Sequence, residues 1–178
     1  MPQIKKAVEA LKAGECIAYP TEGVWGLGCD PFNEEALINL RKLKNRDDTK
    51  GYILLASSLI HFNDFVDTEL YKTKLMAKWP GPHTWIVETR KEANFPNLQI
   101  EKTIALRLSN QKVIVQLCSR FGGAIVSTSA NPNGKKPAIT IEEVRENFPG
   151  ICVLEGELGG LKRPTPIQNL LSGDFVRR

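Results

Sequence analysis

Ile4, Ala7, Val8 and Leu11 recur at the i, i+3, i+4, i+7 spacing of one helical face, and Gly14 follows as a stop. The chain therefore opens on an amphipathic helix. Residues 15–19 read as a strand, and Pro20 is expected to end its sheet pairing and expose the side chains that follow, Thr21 and Glu22. Asn33 has the chemistry of a helix cap; Glu34 and Glu35 follow at the positive end, and Ala36, Leu37, Leu40 and Leu43 form an apolar stripe. Short apolar runs at 52–56, 84–88, 103–108, 124–127 and 151–154 have the length of strands. Between them, Val113, Ile114, Leu117 and Phe121 share a helical face, and Thr140 with Glu143 has capping-box spacing. Turn-rich pieces such as GPH and ANFPNL break any uniform strand–helix alternation. The expected class is α/β, with a mixed parallel and antiparallel sheet flanked by helices.

Length and composition narrow the function classes. A chain of 178 residues fits one domain, 1–178, and 42% hydrophobic with 25% charged residues is ordinary for a globular protein, which excludes a disordered or fibrous chain. No apolar run reaches the roughly 18 residues of a membrane span, so no membrane partner and a cytoplasmic location are expected. Cys16, Cys29, Cys118 and Cys152 form no CxxC pair and have only His61 and His83 to join them, so buried free thiols are expected rather than a metal site. The net charge of +4 favours anionic partners, nucleotides or RNA, without separating them.

The candidate chemistry lies in loops and strand ends. Neither GxxxxGK[ST] nor GxGxxG occurs, although Gly23, Gly26 and Gly28 crowd what reads as one turn, so any ATP site must be built another way. The segment KNRDDTK at 44–50 places Lys44, Arg46 and Lys50 after a helix C-terminus, where they can converge on a triphosphate or simply face solvent beside the helix dipole. In STSAN, Ser127, Ser129 and Asn131 emerge where a buried strand ends, a common place for ligands, though the same residues can serve a turn. Arg107 sits inside the apolar run TIALRL, so its guanidinium must reach solvent at a sheet edge or meet an anion. His61 and His83 lack spaced partners and are assigned packing or surface roles.

Taken in order, YPTEGVWGLGCD, KNRDDTKGYILLAS, WPGPHTWI, TIALRLSN and STSANPNG resemble the YrdC/TsaC family of threonylcarbamoyl-AMP synthases over nearly the whole chain. The resemblance implies a strongly twisted mixed sheet enclosing a large basic cavity for ATP, Mg2+ and L-threonine. It assigns Lys44, Arg46 and Lys50 to the ATP phosphates, with Lys44 and Arg46 as the catalytic cations, and adds Thr103, Ser129, Asn131 and either Arg177 or Arg178 as nucleotide contacts. It places Thr21, Arg107, Ser127 and Thr165 at the threonine. The implied reaction joins threonine, bicarbonate or CO2 and ATP into threonylcarbamoyl-adenylate for tRNA modification, with handoff to the TsaD, TsaB and TsaE machinery. Such a transfer depends on aligning anions and neutralising phosphate charge, so it needs no histidine nucleophile. The chain has Gly23 where many members carry a second threonine, Asp47 where they carry proline, and Gln168-Asn169 in the stretch where they carry an aspartate. Two other readings share the same basic concavity: a module for double-stranded RNA or tRNA that serves ribosome maturation, and a family paralogue without synthase activity.

Overall fold

The computed structural model describes residues 2–45, 51–161 and 163–178. Its first helix, α1 (Pro2–Lys12), buries Ile4, Ala7, Val8 and Leu11, the predicted stripe. Strand β1 (Ile17–Pro20) turns into β2 (Trp25–Gly28), and the antiparallel register runs from Ile17 opposite Gly28 to Pro20 opposite Trp25. Pro20 thus closes the ladder as a paired residue. It can do so because it is the last position of its strand, where a missing N–H costs least.

Helix α2 (Glu34–Lys44) is capped by Asn33, whose side chain accepts from the Ala36 N–H at 2.9 Å. Ala36, Leu37 and Leu40 pack into the core, but Leu43 is largely exposed, so the stripe is narrower than the sequence pattern suggests. Next come β3 (Ile53–Ala56), α3 (Thr68–Met76), β4 (Thr84–Glu88), β5 (Thr103–Leu108), α4 (Lys112–Phe121) and β6 (Ile125–Ser129). Helix α5 (Ile141–Asn147) carries the predicted capping box of Thr140 and Glu143. The chain ends with β7 (Cys152–Val153), β8 (Ile167–Asn169) and β9 (Phe175–Arg177).

Among the described residues these strands form one sheet in the order β7-β1-β2-β6-β3-β5-β4-β8-β9. Pairs β1–β7, β3–β5 and β4–β8 are parallel, while the others are antiparallel, which gives the mixed sheet expected. One face is covered by α1 and α4, which pack with Ile17, Tyr19, Leu55 and Ile125. The other bears the larger core, with Ala18, Leu54, Leu106 and Val126 against side chains of α2, α3 and α5. Burying several such side chains at about 1.5–3 kcal/mol each is what holds the layers together. Strand β6 joins the two halves of the sheet, pairing β3 through Ile125–Ser127 and β2 through Thr128 and Ser129. Its C-terminal residues therefore lie where the two halves meet.

Candidate active site

Strand β5 explains how an arginine enters an apolar run. Ile104, Leu106 and Leu108 face the larger core, so the period-2 alternation puts Thr103, Ala105 and Arg107 on the opposite face. That face belongs to an interior strand, between β3 and β4, and the Arg107 side chain is buried rather than at a sheet edge. An unpaired guanidinium there would cost several kcal/mol, and the fold supplies partners. Arg107 Nη2 lies 3.2 Å from Glu22 Oε2, and Nη1 donates to Thr165 Oγ1 at 2.8 Å. The Nε of Arg107 makes no hydrogen bond among the described residues.

Arg107 faces a cavity of about 190 Å³ whose wall also includes Thr21, Ser127, Thr128, Ser129, Thr165 and Arg177. Side chains from the β1–β2 turn, β5, β6, the 164–167 segment and β9 thus meet at one place. Arg177 Nε donates to the Thr165 carbonyl at 2.8 Å. Burial, and then the positive charge of Arg107, pull Arg177 below the ordinary guanidinium pKa. Two guanidinium groups close enough to repel each other beside hydroxyl side chains form a wall suited to an anion. The cavity is partly open, and its volume is below the roughly 300–1,000 Å³ of pockets for drug-sized ligands, a size that accommodates an amino acid.

The remaining predicted residues divide. Lys44 is buried and does not line the cavity; its ammonium donates to the carbonyls of Ser129 and Asn131, the latter at 2.8 Å, and to Asn131 Oδ1 at 3.4 Å. Ser129 Oγ donates to Asn131 Oδ1 at 2.6 Å, and Asn131 Nδ2 donates to the carbonyls of Pro132 and Lys135. The Asn131 side chain is committed to the turn after β6, and Lys44 fastens that turn to the end of α2. Thr103 shares the face of Arg107 but lies four residues away, about 13 Å along the strand, and its hydroxyl donates to the Ile100 carbonyl. Arg178 sits over the Phe175 ring at 5.4 Å, so of the closing pair it is Arg177 that reaches the cavity. Arg46 and Lys50 lie outside the described residues; Gly51, which follows them, is in the cavity wall.

The sequence reading missed Glu22. It expected an exposed turn, whereas Thr21 and Glu22 are buried because residues 159–161 and Arg163 pack over them. Gly159 N–H donates to the Thr21 carbonyl at 3.0 Å and Leu161 N–H to the Glu22 carbonyl at 2.9 Å. Gly23 belongs to the same contact: a Cβ there would meet the Arg163 carbonyl oxygen at 2.3 Å, so this chain has no room for a side chain at that position. An isolated acidic residue beside a turn gives no sequence signal that it will pair with an arginine 85 positions later.

His61 and His83 stay clear of the cavity wall, and the His83 ring packs edge-on against Trp85 at 4.4 Å. Among the described residues no cluster of three His, Cys, Asp or Glu side chains could hold a metal ion, and no helix is long and apolar enough to cross a membrane. All four cysteines are free thiols.

Comparison with known proteins agrees with this architecture. The family model for Sua5, YciO and YrdC, described as telomere recombination, matches residues 9–177. The threonylcarbamoyl-AMP synthase of Chromohalobacter salexigens is 43% identical over 180 residues, covering 99% of this chain and 97% of its own. That of Photobacterium profundum is 40% identical over 185 residues, covering 100% of both. Among solved structures, E. coli YciO superposes with a TM-score of 0.84 at 24% identity, over 99% of this chain and 89% of its own. P. abyssi Sua5 complexed with L-threonine gives 0.83 at 23%, and this chain spans 50% of that longer one. From its matched length and the identity of its relatives, the chain belongs to the Sua5/YciO/YrdC family.

Proposed function

We propose that this chain is a threonylcarbamoyl-AMP synthase, which condenses L-threonine, bicarbonate and ATP into threonylcarbamoyl-adenylate and pyrophosphate. The product is the activated intermediate for N6-threonylcarbamoyladenosine at position 37 of tRNAs that read codons beginning with adenine. Relatives of this name align over essentially the full chain, and a fold neighbour has been crystallised with L-threonine. The observation that carries the reading is the buried guanidinium of Arg107 together with that of Arg177, which is partly desolvated, both on the wall of a hydroxyl-lined cavity of amino-acid size.

Threonine fits with its carboxylate toward Arg107 and its hydroxyl among Thr21, Ser127 and Thr165. Its amine forms a bond to the carbon of bicarbonate with loss of water, giving a carbamate. A carbamate oxygen then attacks the α-phosphorus of ATP, and the bond from that phosphorus to pyrophosphate breaks. Arg177 and Ser129 line the same cavity as Gly51, and the nucleotide would extend from it with Arg46 and Lys50 assigned to its phosphates. Lys44 and Asn131 support Ser129 through the turn they hold. Mg2+ suits this chemistry as the counter-ion of the triphosphate, since it is commonly held by substrate phosphates and water with few protein carboxylates. The protein's task is alignment and charge neutralisation inside a cavity that limits hydrolysis of the carbamate. Free thiols fit a reducing cytoplasm, where the product would pass to the TsaD, TsaB and TsaE machinery.

Pyrophosphate release by the purified protein with ATP, Mg2+ and bicarbonate tests the reading. Release is expected with L-threonine, at least 10-fold less with L-serine or no amino acid, and none after Mg2+ is chelated. Threonine-independent or absent release from folded protein, with tRNA binding that weakens steeply with salt, would instead favour an RNA-binding module.

A further inference from the structure

We propose that Glu22 is a positioning residue that stands behind Arg107 and aims its guanidinium at the anionic group of the amino-acid substrate. Arg107 is in the cavity wall and Glu22 is not, so Glu22 acts on a ligand there only through the arginine. Both side chains are nearly fully buried, at 6% and 7% exposure. Glu22 Oε2 faces Arg107 Nη2 at 3.2 Å while its Oε1 accepts from Ser109 Oγ at 2.7 Å. Thr165 takes Nη1, so both terminal nitrogens are engaged and Nε is left without a hydrogen bond among the described residues. A guanidinium held at two corners presents its remaining N–H groups in fixed directions, which is the requirement for directional recognition of a carboxylate.

The carboxylate is itself held. Ser109 Oγ accepts from the Gln111 N–H at 3.1 Å, and Gln111 Nε2 reaches the Thr21 carbonyl at 3.3 Å. A Cβ on Gly159 would meet Glu22 Cα at 2.8 Å, so the overlying segment fits closely against the turn. The β1–β2 turn, the end of β5 and residues 159–161 are thereby locked to one another through Glu22, and Thr165 joins them through Arg107. Two effects of Glu22 oppose each other: its negative charge weakens the pull of Arg107 on any anion, and its position directs that pull. If charge dominated, neutralising Glu22 would tighten threonine binding; positioning requires the reverse. In Glu22→Gln the amide keeps the side chain's shape, but one of its ends becomes a donor. The amide carries no charge, so the ion pair that holds the guanidinium is lost, and its single acceptor oxygen can no longer serve Ser109 and face Arg107 together.

This inference rests on the synthase reading and deepens it. Threonine and ATP are varied separately in steady-state pyrophosphate release by the wild type, Glu22→Gln and Ser109→Ala, with thermal unfolding recorded for each. KM for threonine is expected to rise at least 10-fold in Glu22→Gln, as expected for one misdirected charge-assisted hydrogen bond. It should rise about 3-fold in Ser109→Ala, while KM for ATP stays within about 2-fold in both. An unchanged or lowered KM for threonine, or equal rises for both substrates, overturns the positioning role. If Glu22→Gln does not fold, Ser109→Ala decides by the same split. A wild type without threonine dependence overturns the synthase reading first, and this inference with it.

Discussion

Lys44 shows how a residue with the chemistry of a phosphate ligand can serve a site by holding its wall. Its ammonium gathers acceptors from the turn after β6, and the turn in turn fixes Ser129 at the cavity. Lys44→Met keeps most of the buried stem and removes the charge and its hydrogen bonds. The expected cost is about 2 kcal/mol, since the Ser129 carbonyl still accepts from the Asn131 N–H while the Asn131 carbonyl loses its charged donor. Turnover should fall at least 10-fold as the turn relaxes. Urea unfolding and pyrophosphate release check the two halves of this prediction, and a stable variant with wild-type rate would refute both. Arg107 is the residue whose sequence context spoke most directly, because a cation in TIALRL had to find an anion or an edge. Its partner Glu22 was silent, because an acidic residue in a turn reads as solvent-facing until another segment covers it.

At the scale of elements, Gly26 and Gly28 belong to strand β2, and only Gly23 stays in the turn that their crowding suggested for all three. Gly28 is needed for close approach: a Cβ there would lie 2.2 Å from the Val126 carbonyl oxygen and 2.9 Å from the Tyr19 ring and hydroxyl. Backbone on one side and a buried ring on the other leave little room to yield, so Gly28→Ala is expected to destabilise the fold by about 2–4 kcal/mol. Its urea midpoint should drop without a change in slope. A shift under 0.5 kcal/mol would mean that β2 and β6 can separate freely. Helices α1, α2, α4 and α5 were legible because their spacing or caps announce them. Strands β8 and β9, three residues each, have no period long enough to read and exist through pairing with β4 and each other.

For the molecule as a whole, stability should form a dome in pH. Burial lowers the pKa of His61 and His83 below the ordinary 6.5. The unfolded chain therefore takes up protons that the folded one resists as pH falls below about 6.5, and stability declines toward acid. Burial also raises the thiols of Cys118, to about 12, and Cys152 from 9.0. Above about pH 9 the unfolded chain releases protons that the folded one keeps, and stability declines again. Urea midpoints from pH 5 to 10 should show both arms. The acid arm should flatten in a His61→Asn, His83→Asn double variant and the alkaline arm in Cys118→Ala; unchanged slopes in these variants would refute the assignment.

By itself the sequence determined the mixed α/β class, the two faces of α1 and α4, the caps at Asn33 and Thr140, and the ordered motifs that mark the family, because periodicity, capping and motif order are written in neighbouring residues. Only the tertiary structure decided which members of those motifs share a cavity. Arg107, Thr165 and Arg177 come together from β5, the 164–167 segment and β9, whereas Lys44 and Asn131 turn toward each other and Thr103 falls a strand's length away. Glu22 joined the site through contacts with Arg107 and Ser109 more than 80 positions distant. Such meetings depend on strand order and on which segment covers which turn, and no local pattern encodes either.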